Sequence, residues 1–294
     1  MNPVSIFDEI VRLRREGRKV ALATIVRRVG SAPRKDSAKM LILDDGSTIG
    51  SVGGGCVEAE VWGLAKEVLR TRKPRLAKFE LNDDNAEEEG LVCGGTVEVF
   101  VEPILSDPKL IILGAGHLGK AVADIAQRVA FKVSVVDDRE SFANRERFPD
   151  VDEVQLSEFS EAFESTSVDE NCYILVVTRG HKHDQVATEA AIKTRARYVG
   201  LVGSRRKIKL IVEALLEKGL PADLFEKLYA PIGLDIGSET PEEISVSVVA
   251  ELIAVEKGVH VRSPKQQFSL DIARGHLAKR VDPDHQGTKI TKNS

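Results

Sequence analysis

The chain has 294 residues, 42% of them apolar, which is enough to fill the cores of two ordinary domains. With 30% charged residues and a net charge of −4, no excess of cations points to nucleic acid or an anionic membrane surface as a partner. Its three cysteines, Cys56, Cys93 and Cys172, are odd in number and widely spaced, which argues against a disulfide framework and against a paired structural zinc site.

The first stretch, MNPVSIFDEIVRLRREG, has no uninterrupted apolar core of the secretory type and reads as an amphipathic helix with Pro3 in its first turn. No segment approaches the roughly 18 apolar residues of a membrane span. With the cysteine usage, this predicts a cytoplasmic protein. Val20 to Arg28 reads as a strand, followed by the Gly/Pro/Ser loop VGSAPRKDSA. Met40 to Leu43 reads as another, closed by the turn Asp44-Asp45-Gly46. GSTIGSVGGG leads into a helix from about Cys56 to Arg70, then a strand near Leu76 to Leu81 and an acidic loop, DDNAEEEG. The turn Cys93-Gly94-Gly95 opens the strand TVEVFVEP. We expect a smaller, strand-rich α/β domain over residues 1–102 and a two-proline linker, PILSDPK, over 103–109.

From 110 to 260 the pattern changes to strand and helix in alternation, which requires a parallel sheet. The predicted strands are 110–113, 132–136, 153–156, 172–178 and 198–203, and the helices lie near 117–129, 158–165, 182–195, 204–218 and 241–257. The clearest strands, LIIL and CYILVVT, are near-continuous apolar runs, as a sheet covered on both faces needs. Thr240, Pro241 and Glu243 form a capping-box signature for the last helix. Residues 261–294 read as a polar, solvated tail.

Five motifs carry chemistry. Gly114-Ala115-Gly116-His117-Leu118-Gly119 follows an apolar strand and opens a helix, and a second strand ends in Asp137, eighteen residues after Gly119. That is the dinucleotide-binding fingerprint in its proper context, so the domain reads as Rossmann-type. Gly114 permits the turn, Gly116 admits a phosphate to backbone N–H groups, and Gly119 lets helix and strand pack closely. Asp137 is expected to accept from ribose hydroxyls and, on that reading, to disfavour a 2′-phosphate. The strand order 3-2-1-4-5 places the loop Thr178 to Asp184 across the crevice. There Arg179 and Gly180 are expected at a phosphate, and His181 or Asp184 could transfer a proton. Ser204 is a predicted N-cap, and Arg205, Arg206 and Lys207 beyond it suit a bound anion better than the helix dipole. The segment from Pro231 to Thr240 is a candidate lid. In the first domain, Gly53, Gly54 and Gly55 form a candidate anion nest. It precedes Cys56, whose thiolate a helix N-terminus favours. Cys56 and Cys93 are candidate soft-metal or sulfur ligands, and Cys56 a candidate nucleophile. Cys172 reads as core.

The segments GSAPRKDSAKMLI, GSVGGGCVEAEV and LVCGG, then GAGHLG, VVDDRE, TRGHKHD, YVGLVGSRRK and PIGLDIGSETPEEISVSVVAELI, resemble the XdhC/CoxI family in order over about Ala21 to Glu256. Asp36-Ser37 departs from the glycine-containing turn expected there. The resemblance implies a homodimeric chaperone that binds molybdenum cofactor, as molybdopterin or its dinucleotide form. It would assist sulfuration of that cofactor and deliver it to a xanthine dehydrogenase-type molybdenum hydroxylase apoenzyme. A cysteine desulfurase is a further candidate partner. Two other readings stay open on the residues alone: an NAD(P)-dependent oxidoreductase, and a nucleotide-binding module without catalysis.

Overall fold

In a computed structural model of the chain, the described residues are 5–30, 37–53, 55–80, 95–259 and 268–275. They fall into two compact units, Met1–Ser106 and Asp107–Ser294.

The first unit contains α1 (Ile6–Arg15), β1 (Val20–Gly30), β2 (Lys39–Leu43), β3 (Thr48–Gly50), α2 (Gly55–Thr71), β4 (Arg75–Glu80) and β5 (Gly95–Ile104). Its strands form one antiparallel sheet in the order β3-β2-β1-β5-β4. Alternation along β1 splits the core in two. Ala21, Ala23 and Ile25 pack with Val57, Val61, Ala65 and Val68 of α2, while Val20 and Leu22 pack with Leu13 of α1. The hairpin strand β3 was not expected, since three residues are too few to show a period. The non-strand connection between the units is also shorter than the predicted linker, because β5 runs to Ile104 and the next strand begins at Lys109. Pro103 belongs to β5, opposite Ala21, where β4, which pairs only as far as Val101, no longer needs its N–H.

The second unit contains β6 (Lys109–Leu113), α3 (His117–Arg128), β7 (Lys132–Asp137), β8 (Glu153–Leu156), β9 (Cys172–Val176), α4 (His181–Ile192), β10 (Tyr198–Leu201), α5 (Arg205–Glu217), a 3₁₀ turn (Ala222–Lys227), β11 (Leu228–Tyr229), α6 (Pro241–Glu256) and α7 (268–275). The sheet is parallel, in the order β11-β10-β9-β6-β7-β8. This is the expected Rossmann-type order with one additional strand, β11. Leu110 and Ile112 of β6 and Tyr173 and Leu175 of β9 face α3 and α6. Ile111, Leu113, Ile174 and Val176 face α4 and α5. On the α6 side Tyr198 donates to Glu251 Oε1 at 2.5 Å and stacks on Tyr229 at 4.4 Å, and burial pushes its phenol well above the ordinary range.

Two expectations need correction here. Residues 158–165 are turns and bends and not a helix, since their backbone bonds, Glu161 N to Glu158 O and Glu164 N to Glu161 O, reach back three residues and not four. Only Phe159 and Ala162 of that segment are buried, too narrow a face to hold a helix of Ser and Glu. The C-terminal region is not wholly a solvated tail. Residues 268–275 are helical, Ala273 is buried, and Ser269 Oγ donates to Leu228 O at 3.0 Å. The apolar spacing Phe268, Ile272 and Ala273 is the signal that the polar composition hid.

Candidate functional site

The parallel order brings the C-terminal ends of β6 and β9 side by side, with the helices that follow them on opposite faces of the sheet, which is where sheets of this kind bind their ligands. Gly114 has φ +117°, and a Cβ on it would lie 2.5 Å from Val177 O, so only glycine lets the turn approach β9. A Cβ on Gly119 would meet Gly114 O at 2.0 Å, which makes Gly119 the condition for α3 to start this close to the strand. Gly116 differs: a Cβ there would meet nothing within 4 Å. It is the N-cap of α3, and no side chain caps that helix. Gly180 caps α4 in the same bare manner, whereas Ser204 caps α5 and Thr240 caps α6 through side chains. The two helices that start from β6 and β9 therefore keep first-turn N–H donors for an acceptor from outside the fold. His117 is exposed and Leu118 half-buried at the entry to α3.

Three polar assignments change once the side chains are placed. Asp137 is fully buried and faces inward: its Oδ2 accepts from Ala115 N at 2.8 Å, and its Oδ1 accepts from Arg139 N at 3.1 Å and Arg139 Nε at 2.8 Å. It pins the glycine turn and is neutralised by Arg139, so it does not stand as the solvent-facing ribose acceptor that the spacing suggested. Arg179 is likewise engaged, bidentate on Asp138 from the opposite side of β6, with the Nη2 to Oδ2 contact at 2.7 Å. This pair holds the Asp138 carboxyl below its usual range and raises the Arg179 guanidinium, and His183 Nδ1 lies 3.8 Å from Asp138 Oδ2. Asp184 is fully buried. Its Oδ1 accepts from Thr178 Oγ1 at 2.7 Å and Thr178 N at 3.2 Å, and its Oδ2 is ion-paired with Lys207. Asp184 is thus a positioning residue for the 178–180 loop rather than an accessible base. His181, at the start of α4, is exposed.

The predicted basic cluster divides by the same logic. Lys207 is committed to Asp184, while Arg205 and Arg206 are exposed, with the Arg205 guanidinium 5.7 Å over the Phe268 ring. Ser204 accepts from Lys207 N at 3.3 Å, as expected of an N-cap. The loop after β11 is anchored: Ile232 N donates to Leu201 O at 3.2 Å, and Ser247 Oγ to Leu234 O at 2.6 Å. Sequence reading missed Asp138, Arg139, Phe142 and Arg147, although VVDDRE contains the first two beside the fingerprint acid.

Gly53, Gly55 and Cys56 belong to the first unit, where Gly55 and Cys56 begin α2 and Gly53 has φ +138°. Gly54 and Cys93 lie outside the described residues, as does the candidate loop 31–36. Cys172 is buried, and desolvation pushes its thiol up to about 11. We expect Cys172 to stay unlabelled by a thiol reagent at pH 8 in the native protein and to react on unfolding; mass mapping of labelled peptides decides this, and rapid native labelling of Cys172 would contradict it. No group of three or more His, Cys, Asp or Glu placed to hold a metal ion is found among the described residues, and no helix among them is long and apolar enough to cross a membrane.

Comparison with known proteins follows this division into two units. Residues 110–252 match the XdhC Rossmann domain, and residues 13–80 match the XdhC and CoxI family. The chain is 36% identical over 254 residues to the uncharacterized protein YqeB of Escherichia coli, covering 86% of this chain but only 46% of that protein. It is 28% identical over 329 residues to a probable xanthine dehydrogenase component of Bacillus subtilis, covering 83% of this chain and 95% of the relative. It is 22% identical over 288 residues to the molybdenum cofactor insertion chaperone PaoD of Escherichia coli, covering 81% and 84%. The chain thus spans less than half of the first relative and most of the other two. With both family segments present in order on the two units that the structure separates, the chain belongs to the XdhC and CoxI family.

Proposed function

We propose that the chain is an accessory factor in molybdenum hydroxylase maturation. It binds molybdenum cofactor, assists its sulfuration, and hands it to a xanthine dehydrogenase-type apoenzyme. Family membership supports the maturation role, as does similarity to a relative named as a molybdenum cofactor insertion chaperone. The observation that carries the ligand reading is the pair of helix N-termini at β6 and β9, both capped by glycine with no side-chain acceptor. That arrangement fits the phosphate tail of a pterin, or the pyrophosphate of its dinucleotide form, because neither helix start has a side-chain cap on its first-turn N–H donors. When bound, the cofactor supplies the metal and dithiolene chemistry, and this chain's residues hold its anionic end. Gly114, Gly116, His117, Leu118, Gly119 and Gly180 provide the backbone seat. Arg179 is the cation that a phosphate would draw away from Asp138.

In the first unit, Cys56 lies in the first turn of α2, and we assign it with Cys93 to the metal or its terminal sulfur. Gly53, Gly54 and Gly55 would seat an anion beside them. Arg205 and Arg206 would screen the phosphate or steer the ligand. A homodimeric assembly and transfer of sulfur from a cysteine desulfurase belong to the same proposal.

The experiment is direct. The purified chain is mixed with free molybdenum cofactor and re-isolated, and molybdenum is measured by mass spectrometry and pterin by fluorescence after oxidation. Near-stoichiometric retention of both is expected, and Cys56→Ala should lower molybdenum or sulfur content while the melting temperature holds. Absence of pterin from the re-isolated protein would overturn the proposal. Nicotinamide turnover by the protein alone would put the NAD(P)-dependent oxidoreductase reading in its place.

A further inference from the structure

The loop between β7 and β8 turns an aromatic ring and two guanidiniums toward the glycine turn. Arg139 holds the buried Asp137 carboxylate through Nε at 2.8 Å and Nη2 at 3.0 Å, and its guanidinium carbon lies 3.6 Å from the Phe142 ring centre. Arg147 lies 4.9 Å from the same ring and donates from Nη2 to Ala115 O at 3.3 Å. Its position is fixed from behind, as Lys120 Nζ donates to Arg147 O at 2.9 Å and Arg147 N donates to Asn144 Oδ1 at 3.0 Å. Arg147 Nε is buried with no hydrogen-bond acceptor, and no carboxylate pairs with this guanidinium among the described residues.

The charge balance matters. Asp137 is compensated by Arg139, and Asp138 by Arg179. Arg147 remains as a half-buried cation with a donor to spare, beside an aromatic face and one peptide from the phosphate seat. A half-buried guanidinium with no carboxylate partner favours an anionic ligand that can pair with it. In this fold the ribose of a dinucleotide falls at the end of the second strand when its pyrophosphate sits on the glycine turn. Here the second strand is β7, and its terminal acid is turned inward and neutralised. The usual repulsion of a phosphate by that acid is therefore missing, and a guanidinium stands in its place.

We propose that the crevice takes an adenine dinucleotide carrying a phosphomonoester on the adenosine ribose, with Arg147 and Arg139 on that phosphate and Phe142 beside the base. This adds a second ligand class to the chain. It rests on the reading that the glycine turn seats a phosphate, and it does not depend on pterin binding.

The test compares two probes that differ by one phosphate and carry no redox group: 2′-phospho-ADP-ribose and ADP-ribose, each titrated calorimetrically into the full chain. At least roughly tenfold tighter binding of the 2′-phosphorylated probe is expected, with the preference shrinking as salt is raised. Arg147→Gln should bring the two affinities within about twofold of each other, and Arg139→Lys should act in the same direction. Melting curves of each variant establish that the fold survives. If ADP-ribose binds as well as or better than the phosphorylated probe, the specificity inference fails and the crevice remains a nucleotide seat. If neither probe binds, both the inference and the phosphate-seat reading fail.

Discussion

Gly116→Val should leave the protein folded and weaken ligand binding about a hundredfold, while Gly119→Val, three residues on, should destabilise the second unit by about 3 kcal/mol or more. The two positions belong to one turn and differ in what surrounds them. A Cβ on Gly116 meets nothing within 4 Å, and its φ of −71° and ψ of −168° suit a β-branched residue. The new side chain would project into the space where a phosphate approaches the α3 N–H groups. We expect a melting temperature near that of the parent and a loss of affinity of roughly a hundredfold, as removal of charge-assisted hydrogen bonds worth about 3 kcal/mol implies. At Gly119 the Cβ would sit 2.0 Å from Gly114 O, a backbone atom that the turn itself fixes, so α3 must move off the sheet. Overpacking of that kind costs about 3 kcal/mol or more. At about 2–4 °C per kcal/mol for a unit of this size, the melting temperature should fall by roughly 6–12 °C. Wild-type affinity in Gly116→Val would remove the crevice from the function, and an undisturbed melting temperature in Gly119→Val would contradict the packing argument.

Lys207→Met should destabilise the second unit strongly, and far less when Asp184→Asn is present. Asp184 has no exposed surface, and Lys207 is the cation against its Oδ2. Removing one partner of a buried pair leaves an uncompensated charge and costs about 3–5 kcal/mol. The Lys207 side chain is 26% exposed, so water replaces part of its role and we expect about 2–3 kcal/mol. An asparagine at 184 still accepts from Thr178 Oγ1 without a charge to bury, and Asp184→Asn alone should cost about 1 kcal/mol. The double variant should therefore recover about 1–2 kcal/mol of the sum, measured by denaturant titration as a coupling energy. Additive effects would mean that the ion pair contributes nothing. Because Asp184 also holds Thr178, ligand affinity should fall with Asp184→Ala, whose side chain cannot hold the 178–180 loop.

The strength of these expectations follows how local each residue's requirement is. The fingerprint glycines were legible because a turn between strand and helix admits no alternative residue at Gly114 or Gly119. The capping box at Thr240 was legible for the same reason, and the structure shows both of its hydrogen bonds, at 3.2 Å from Glu243 N to Thr240 Oγ1 and 3.2 Å from Thr240 N to Glu243 Oε2. The helix read at 158–165 failed because composition favoured it while burial, which composition does not show, stopped at two residues.

By itself the sequence determined the change of pattern between its two parts, the parallel order of the second sheet, the family, and the glycine seat at the head of α3. These rest on period, punctuation and motif order, which are properties of neighbouring residues. Only the tertiary structure decided which charges are free. Asp137, Arg179 and Asp184 each looked available in the sequence, and each is spent on a partner: Asp137 on Arg139 and Ala115, Arg179 on Asp138, Asp184 on Thr178 and Lys207. Arg147, which no motif marked, is left with a buried donor and no acceptor. Pairing of that kind is set by which loops the sheet brings together at the C-terminal ends of its strands, 41 residues apart in the case of Arg179 and Asp138, and no local pattern encodes it.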